Sequence, residues 1–151
     1  MIRPSKKMLF AIEAVLDIAY HAGGEPVQSR EITRRQGIPR RYLEQTLQQL
    51  VRAGILVGVR GPRGGYRLAR ERRRISVGEI VRVVRAMETA EDPFQDVPAS
   101  QLGKTVIRPM WGDLQDEMMS RLDAITVDDL CMRAYKTGVP SEAHAKLDFT
   151  I

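Results

Sequence analysis

Two short helical segments divided by a glycine-containing turn, a glycine-rich basic hairpin directly after them, and a later helix with an apolar seam together predict the fold class. It is mainly α with a small β-hairpin: a winged helix-turn-helix domain plus a long C-terminal dimerisation helix. The expected division is 1–88 for the winged-helix domain, 89–103 for a linker, 104–135 for dimerisation helices and 136–151 for a C-terminal tail.

The hairpin spans residues 55–69. Ile55, Val57 and Val59 alternate on one side, as Tyr66 and Leu68 do beyond the glycines, so two short strands joined by a tight loop are expected. Gly61, Gly64 and Gly65 let the loop backbone approach another surface, and Pro62 stiffens the turn. Arg60, Arg63, Arg67 and Arg70 put four cations on this projection, a combination suited to a phosphate backbone. The same residues also suit a solvated hairpin whose arginines keep its edge unpaired. The loop lacks the closing Gly-Lys-Ser/Thr of a phosphate loop and precedes a strand, which discounts nucleotide binding.

Ahead of the hairpin, Met8, Leu9, Ile12, Val15, Leu16 and Ala19 recur at three- and four-residue spacings. An amphipathic core helix is expected from Ser5 to about Ala22, stopped by Gly23-Gly24. Ser29 suits the N-cap of a short helix to Arg35, ended by Gln36-Gly37-Ile38, and Pro39 suits the first position of a third helix to about Ala53. In that third helix Leu43, Leu47, Leu50 and Val51 form the inward stripe, opposite Arg41, Glu44, Gln45, Gln48 and Arg52. Helix, turn, helix with an Arg/Gln/Glu face is the pattern whose second helix enters a DNA major groove, although a charged bundle face bathed in water has the same pattern.

Beyond the hairpin, Ser76-Val77-Gly78-Glu79 matches a capping box for a fourth helix with Val77, Ile80, Val81, Val84 and Met87 inward. Thr89 to Gly103, containing Pro93 and Pro98, reads as the linker. From about Pro109 a longer helix carries Trp111, Leu114, Met118, Leu122 and Ile125 in an a/d-like seam. Little of the chain remains to cover it, so the expected partner is the same helix of a second subunit. Thr126 to Asp129 resembles another N-cap, followed by a short helix from Leu130 to Tyr135, and the tail shows no strong pattern.

With 151 residues, 43% hydrophobic and 28% charged, the chain suits one ordinary globular domain or a small domain with an appended helical segment. No apolar run approaches the roughly 18 residues of a membrane span, so a soluble cytoplasmic protein with no membrane partner is expected. Charge is divided unequally. Residues 1–88 hold 18 Lys/Arg against 8 Asp/Glu, a net +10, whereas 89–151 hold 6 against 11, a net −5. Polyanion binding is therefore expected in the first half.

Three runs carry a family likeness: Gly37-Ile38-Pro39-Arg40-Arg41-Tyr42-Leu43-Glu44-Gln45, Arg60-Gly61-Pro62-Arg63-Gly64-Gly65-Tyr66-Arg67-Leu68-Ala69, and Ile75-Ser76-Val77-Gly78-Glu79-Ile80. They resemble the Rrf2 family of bacterial transcriptional regulators, and the likeness extends through Trp111 and Leu122 to Thr126. The resemblance implies a homodimeric winged-helix regulator that binds a roughly palindromic double-stranded DNA operator. It implies recognition-helix contacts from Arg40, Arg41, Tyr42, Glu44 and Gln45, and a wing that sets Arg60, Gly61 and Arg63 against the minor groove; the polar face and the hairpin read above add Gln48 to the candidate helix residues and Pro62, Gly64 and Arg67 to the candidate wing. Arg63 stands where the family often has Gly or Tyr, which adds a cation.

Cluster-bearing members of that family have three cysteines between the fourth helix and the dimer helix, whereas 91–108 here contains none. The chain has a single cysteine, Cys131, which excludes an internal disulfide and a Cys-pair metal motif. No cofactor is expected, and the segment is similar to cluster-free members that respond to a small molecule, a protein partner or cysteine oxidation. Cys131 is the candidate sensor, although the neighbouring Asp128 and Asp129 favour the protonated thiol of a structural cysteine. An iron-sulfur cluster held by unconventional ligands, Cys131 with His or carboxylates, is the alternative sensing mode.

His21 and His144 lie far apart with no helical partner for metal binding. Met110, Met118, Met119 and Met132 suit either an adaptable pocket or dimer packing. The pairs Asp116-Glu117 and Asp128-Asp129 read as solvated faces, and no nucleophile stands beside a base, so no enzyme is expected. The expectation is a DNA-binding repressor whose affinity is set by a signal; the alternative is a basic helical adaptor for RNA or an acidic protein.

Overall fold

The computed structural model describes residues 3–88, 98 and 100–143. Its elements run α1 (Lys6–His21), α2 (Ser29–Gln36), α3 (Arg40–Arg52), β1 (Leu56–Val59), β2 (Gly65–Leu68), a 3-10 turn (Arg72–Arg74), α4 (Val77–Met87), a π-helical turn (Gly103–Ile107), α5 (Arg108–Ala124) and α6 (Val127–Lys136).

The hub is α1. The Ser5 hydroxyl accepts the Met8 amide at 3.2 Å, starting the helix where the sequence predicts. Ala11, Ala14, Val15 and Ile18 are fully buried, because α2, α3, α4, α6 and β2 all pack around this one helix. Leu9, expected inside, is 45% exposed: the inward stripe runs through Met8, Ala11, Val15 and Ile18 instead.

The helix-turn-helix forms as expected, with two differences at its caps. Gln28, not Ser29, is the N-cap of α2: the Glu31 carboxylate accepts its amide at 2.8 Å. Pro39 sits just before α3 rather than within it, and its carbonyl accepts the Tyr42 and Leu43 amides. Gly37, at φ 66°, makes the turn between the helices in a left-handed conformation that a β-carbon would strain. Ile32, Ile38, Leu43, Leu47 and Leu50 lock the pair onto α1, while Val51 is half-buried.

In the hairpin, Leu56 pairs with Leu68, Val57 with Arg67, Gly58 with Tyr66 and Val59 with Gly65. Leu56, Leu68 and Tyr66 therefore share the inner face, and Val57 turns outward beside Arg67. The expected Ile55/Val57/Val59 face does not form. Ile55 is buried just ahead of the strand, its carbonyl accepting the Ala69 amide, and the pleat begins one residue later. An unexpected third partner is Val27, which exchanges two backbone hydrogen bonds with Tyr66, at 2.8 and 2.7 Å. A β-carbon on Gly65 would come within 2.5 Å of the Val27 carbonyl oxygen, which explains the glycine there.

Two capping boxes align the later helices. Ser76 and Glu79 cap α4 reciprocally, and Thr126 and Asp129 cap α6. The two cap segments also pair with each other: Val77 donates to the Ile125 carbonyl and Val127 to the Ile75 carbonyl, both at 2.8 Å. The last helix consequently runs from Val127 to Lys136, longer than the expected Leu130 to Tyr135.

The long helix begins earlier than Pro109. Residues 101–102 are already helical, and the π-helical turn carries the chain into α5. A wider turn directly ahead accommodates a proline that cannot donate to the helical ladder. The C-terminal end of the expected linker is therefore helix; its residues 89–97 and 99 lie outside the described residues. Among the described residues, no helix is long and apolar enough to cross a membrane.

The tail, patternless in sequence, returns to α1 and α2 over 139–142. The Tyr20 hydroxyl donates to the Val139 carbonyl at 2.6 Å, and the Ser141 hydroxyl donates to the Tyr20 carbonyl at 2.7 Å. The Glu142 amide donates to His21 Nδ1 at 3.1 Å, and its carboxylate pairs with Arg34 and Arg35 at 2.9 and 2.7 Å.

Candidate nucleic-acid interface

A cleft of about 630 Å³ lies between the start of α2 and the wing, lined by Gln28, Ser29, Arg30 and Arg40 on one side and by 58–62 and 64–66 on the other. The Gln28 side-chain amide donates to the Pro62 carbonyl at 3.4 Å, tying the wing to the helix-turn-helix. Arg30 was not anticipated from the sequence. Its position one residue into a helix is a cue only once Val27 is known to anchor that helix start against β2.

On α3, Arg40, Arg41, Tyr42, Glu44, Gln45 and Gln48 are all exposed, because Leu43, Leu47 and Leu50, joined by buried Thr46, use the opposite face. Arg41, Glu44, Gln45 and Gln48 carry donors and acceptors that can pair with those of base edges in a major groove. Arg40 donates from Nε to Glu44 at 3.0 Å, an i, i+4 pair that offsets the one acid on this face. Tyr42 lies at the first turn of α3, with Lys7 Nζ 5.9 Å from its ring centre. Lys7 thereby adds a cation beside the helix that the sequence pattern did not single out.

The wing tip presents Arg60, Gly61, Pro62 and Arg63 to solvent, and Arg67 projects from the outer face of β2. Gly61, at φ 109°, turns the tip, and its carbonyl accepts the Gly64 amide at 2.9 Å. Two expected wing residues differ. Gly64 is buried, with the Val59 carbonyl oxygen where a β-carbon would sit, so it shapes the wing and borders the cleft without standing at the exposed tip. Arg70 turns back into the fold, donating to Glu79 at 2.8 Å and to the Arg74 carbonyl at 3.0 Å.

The residues expected from the sequence to form a dimer seam divide into two groups. Trp111, Leu114 and Met118 are exposed, as are Leu102, Val106, Ile107 and Met110, and no residue of α5 is fully buried. Leu122 and Ile125 instead pack on this chain's own core with Met119. The unpartnered stripe therefore runs from Leu102 to Met118 and not on to Ile125. At the C-terminal end of α5, Asp123 accepts two hydrogen bonds from Arg82, both 2.7 Å, over Gly78, whose missing side chain allows the approach. That exposed pair holds the Asp123 carboxyl below its usual range.

The donors for a metal group are few. Cys131 is buried, and burial pushes its thiol above the usual range although the Arg72 guanidinium opposes this. His21 is buried with Nδ1 accepting the Glu142 amide, and His144 lies outside the described residues. Among the described residues, no three His, Cys, Asp or Glu side chains gather as a metal site. With one cysteine in the chain, the donor set does not fit a thiolate-held iron-sulfur cluster.

Residues 4–133 match the model of a family described as Rrf2, iron-dependent transcriptional regulator. The HTH-type transcriptional regulator IscR of Vibrio atlanticus is 35% identical over 126 residues, covering 83% of this chain and 73% of that protein. Among solved structures, T. potens IscR superposes with a TM-score of 0.73 at 33% identity, covering 92% of this chain and 93% of its own. CymR (YrzC), the global cysteine regulator of B. subtilis, superposes with a TM-score of 0.70 at 28% identity, covering 88% of this chain and 98% of its own.

Proposed function

This chain belongs to the Rrf2 family of DNA-binding transcriptional regulators, and from that footing we propose that it acts in the cytoplasm as a homodimeric repressor of a palindromic operator. Each subunit inserts α3 into a major groove, reading bases with Arg41, Glu44, Gln45 and Gln48. The wing lays Arg60 and Arg63 along the adjoining minor groove, and Arg30 and Arg40 line the cleft between them.

The observation that carries this reading is the exposed polar face of α3 beside a cation-lined cleft, in a half that holds the +10 charge. The exposed stripe of Leu102, Val106, Met110, Trp111, Leu114 and Met118 supports dimerisation, since a helix with so many bare apolar groups gains most by pairing with its copy. Two recognition helices then meet half-sites about one turn, roughly 34 Å, apart. The signal is a small molecule or protein partner and not a cluster, consistent with the donor set.

Selection of duplexes from a random library by the whole chain tests the reading. A two-fold symmetric sequence with half-sites about one turn apart is expected. Enrichment of no sequence, with equal binding of RNA and of any duplex, would favour a general polyanion-binding adaptor.

A further inference from the structure

The end of α1, the 3-10 turn, α6 and the returning tail line a half-open cavity of about 490 Å³. Ala19, Ala22 and Met132 supply apolar walls. Cys131 is its most buried lining residue, and Arg72 and Lys136 bring two cations to its exposed rim. Arg72 is half committed, donating from Nε to Asp128 at 2.7 Å; Lys136 has no ion-pair partner among the described residues.

Such a volume lies within the range of small-molecule sites, about 300–1,000 Å³. An inorganic anion would answer the cations but leave the alanines and Met132 untouched. A neutral apolar molecule would fill the walls but leave Lys136 unanswered. A carboxylate carried on a compact apolar body satisfies both.

The cavity also has a route to the DNA cleft. Ser141 and Ala143, which line it, flank Glu142, whose carboxylate holds Arg34 and Arg35 at the end of α2. Ser29 and Arg30, at the other end of that eight-residue helix, line the DNA cleft. A short helix moves as a rigid rod of about 12 Å, so a shift at one end is felt at the other. The segment 139–143 lies beyond the family match over 4–133.

We propose that this cavity binds a small organic carboxylate with an apolar body, and that its occupancy is transmitted to the DNA cleft through Glu142 and α2. The second half rests on the DNA-binding reading above; the first stands without it.

The only cysteine of the chain is in the cavity, so a thiol reagent reports on this site alone. The rate at which Ellman's reagent labels Cys131 is followed as benzoate is added, with acetate as the control lacking an apolar body. Saturable slowing by benzoate and not by acetate is expected, with Lys136→Met raising the half-protecting concentration about tenfold. At saturating benzoate the affinity for the selected duplex should change at least severalfold. Glu142→Gln, which keeps the backbone hydrogen bond to His21, should retain protection and lose that change.

Protection that is absent, unsaturable, matched by acetate or indifferent to Lys136→Met overturns the site. Protection with an unchanged DNA affinity, or a DNA response that survives Glu142→Gln, overturns the transmission. A chain that prefers no duplex even without benzoate defeats the DNA-binding reading alone, and the labelling rates still decide the cavity.

Discussion

Arg35 of α2 grips Asp17 of α1 through two parallel hydrogen bonds, Nε to Oδ2 at 2.9 Å and Nη2 to Oδ1 at 2.8 Å, with the carboxylate fully buried. Gln36 adds a third donor at 2.7 Å, so the first helix of the DNA-binding pair is fastened to the hub by a single acid. Asp17→Ala leaves the largely buried Arg35 guanidinium with the half-exposed Glu142 as its remaining ion-pair partner and takes the acceptor from Gln36. A loss of about 3–5 kcal/mol of stability is expected in urea titration. A loss below about 1 kcal/mol, the scale of a surface pair, would show that the grip contributes little.

His21 gives the same region a pH dependence. Burial, followed by the Arg35 charge, holds its pKa below the ordinary 6.5, against the opposing pull of Asp17 and Glu142. The folded state thus favours the neutral imidazole, whose Nδ1 accepts the Glu142 amide. A lowered folded pKa means that the unfolded chain takes up the proton first as pH falls. This contribution to stability is complete above the unfolded value near 6.5 and is lost as pH falls from there through the lowered folded value. Melting temperatures from pH 7.5 to 5 should fall more steeply for the parent than for His21→Gln. Parallel curves would show that His21 contributes nothing to the pH dependence of stability.

Arg63 stands exposed at the tip of the wing. Arg63→Ala should weaken binding to all duplexes alike and lower the slope of log affinity against log salt by about one unit. An unchanged slope would place the wing away from phosphate.

Trp111, Leu114 and Met118 share the bare stripe of α5. Leu114→Glu with Met118→Glu should give monomers in sedimentation, because two carboxylates would be buried in each half of the seam. Since neither residue is buried in its own chain, the fold itself should survive, as circular dichroism would show. A persistent dimer would move the interface elsewhere.

The helices around the DNA-binding half were readable because local signals agree there. Ser5, Gly37, Ser76 and Glu79 mark ends, and Leu43, Leu47 and Leu50 mark the inner face at helical spacing. Likewise, Arg41, Gln45 and Gln48 had to be exposed once that stripe was assigned. What escaped depends on distant partners. The Val27–Tyr66 bridge, which pins the wing, joins residues with no local pattern between them. The phase of β1 turned on a single residue, since Ile55 and Leu56 are both apolar and both buried. Leu122 and Ile125 continue the spacing of Trp111 and Leu114, and the pairing of the α4 and α6 caps, together with the Arg82–Asp123 ion pair, turns them toward their own core. The clasp of Ser141 and Glu142 on α1 and α2 is built from polar side chains, which carry no periodicity at all.

Gln45 stands exposed in the middle of the polar face of α3, where a base-reading side chain would act. Parent and Gln45→Ala are titrated against the selected duplex and against duplexes with each half-site base pair replaced in turn. The variant is expected to lose about 1–3 kcal/mol on the selected duplex and to discriminate no longer at one base-pair position per half-site. Equal affinities of parent and variant for every duplex would contradict base reading by α3.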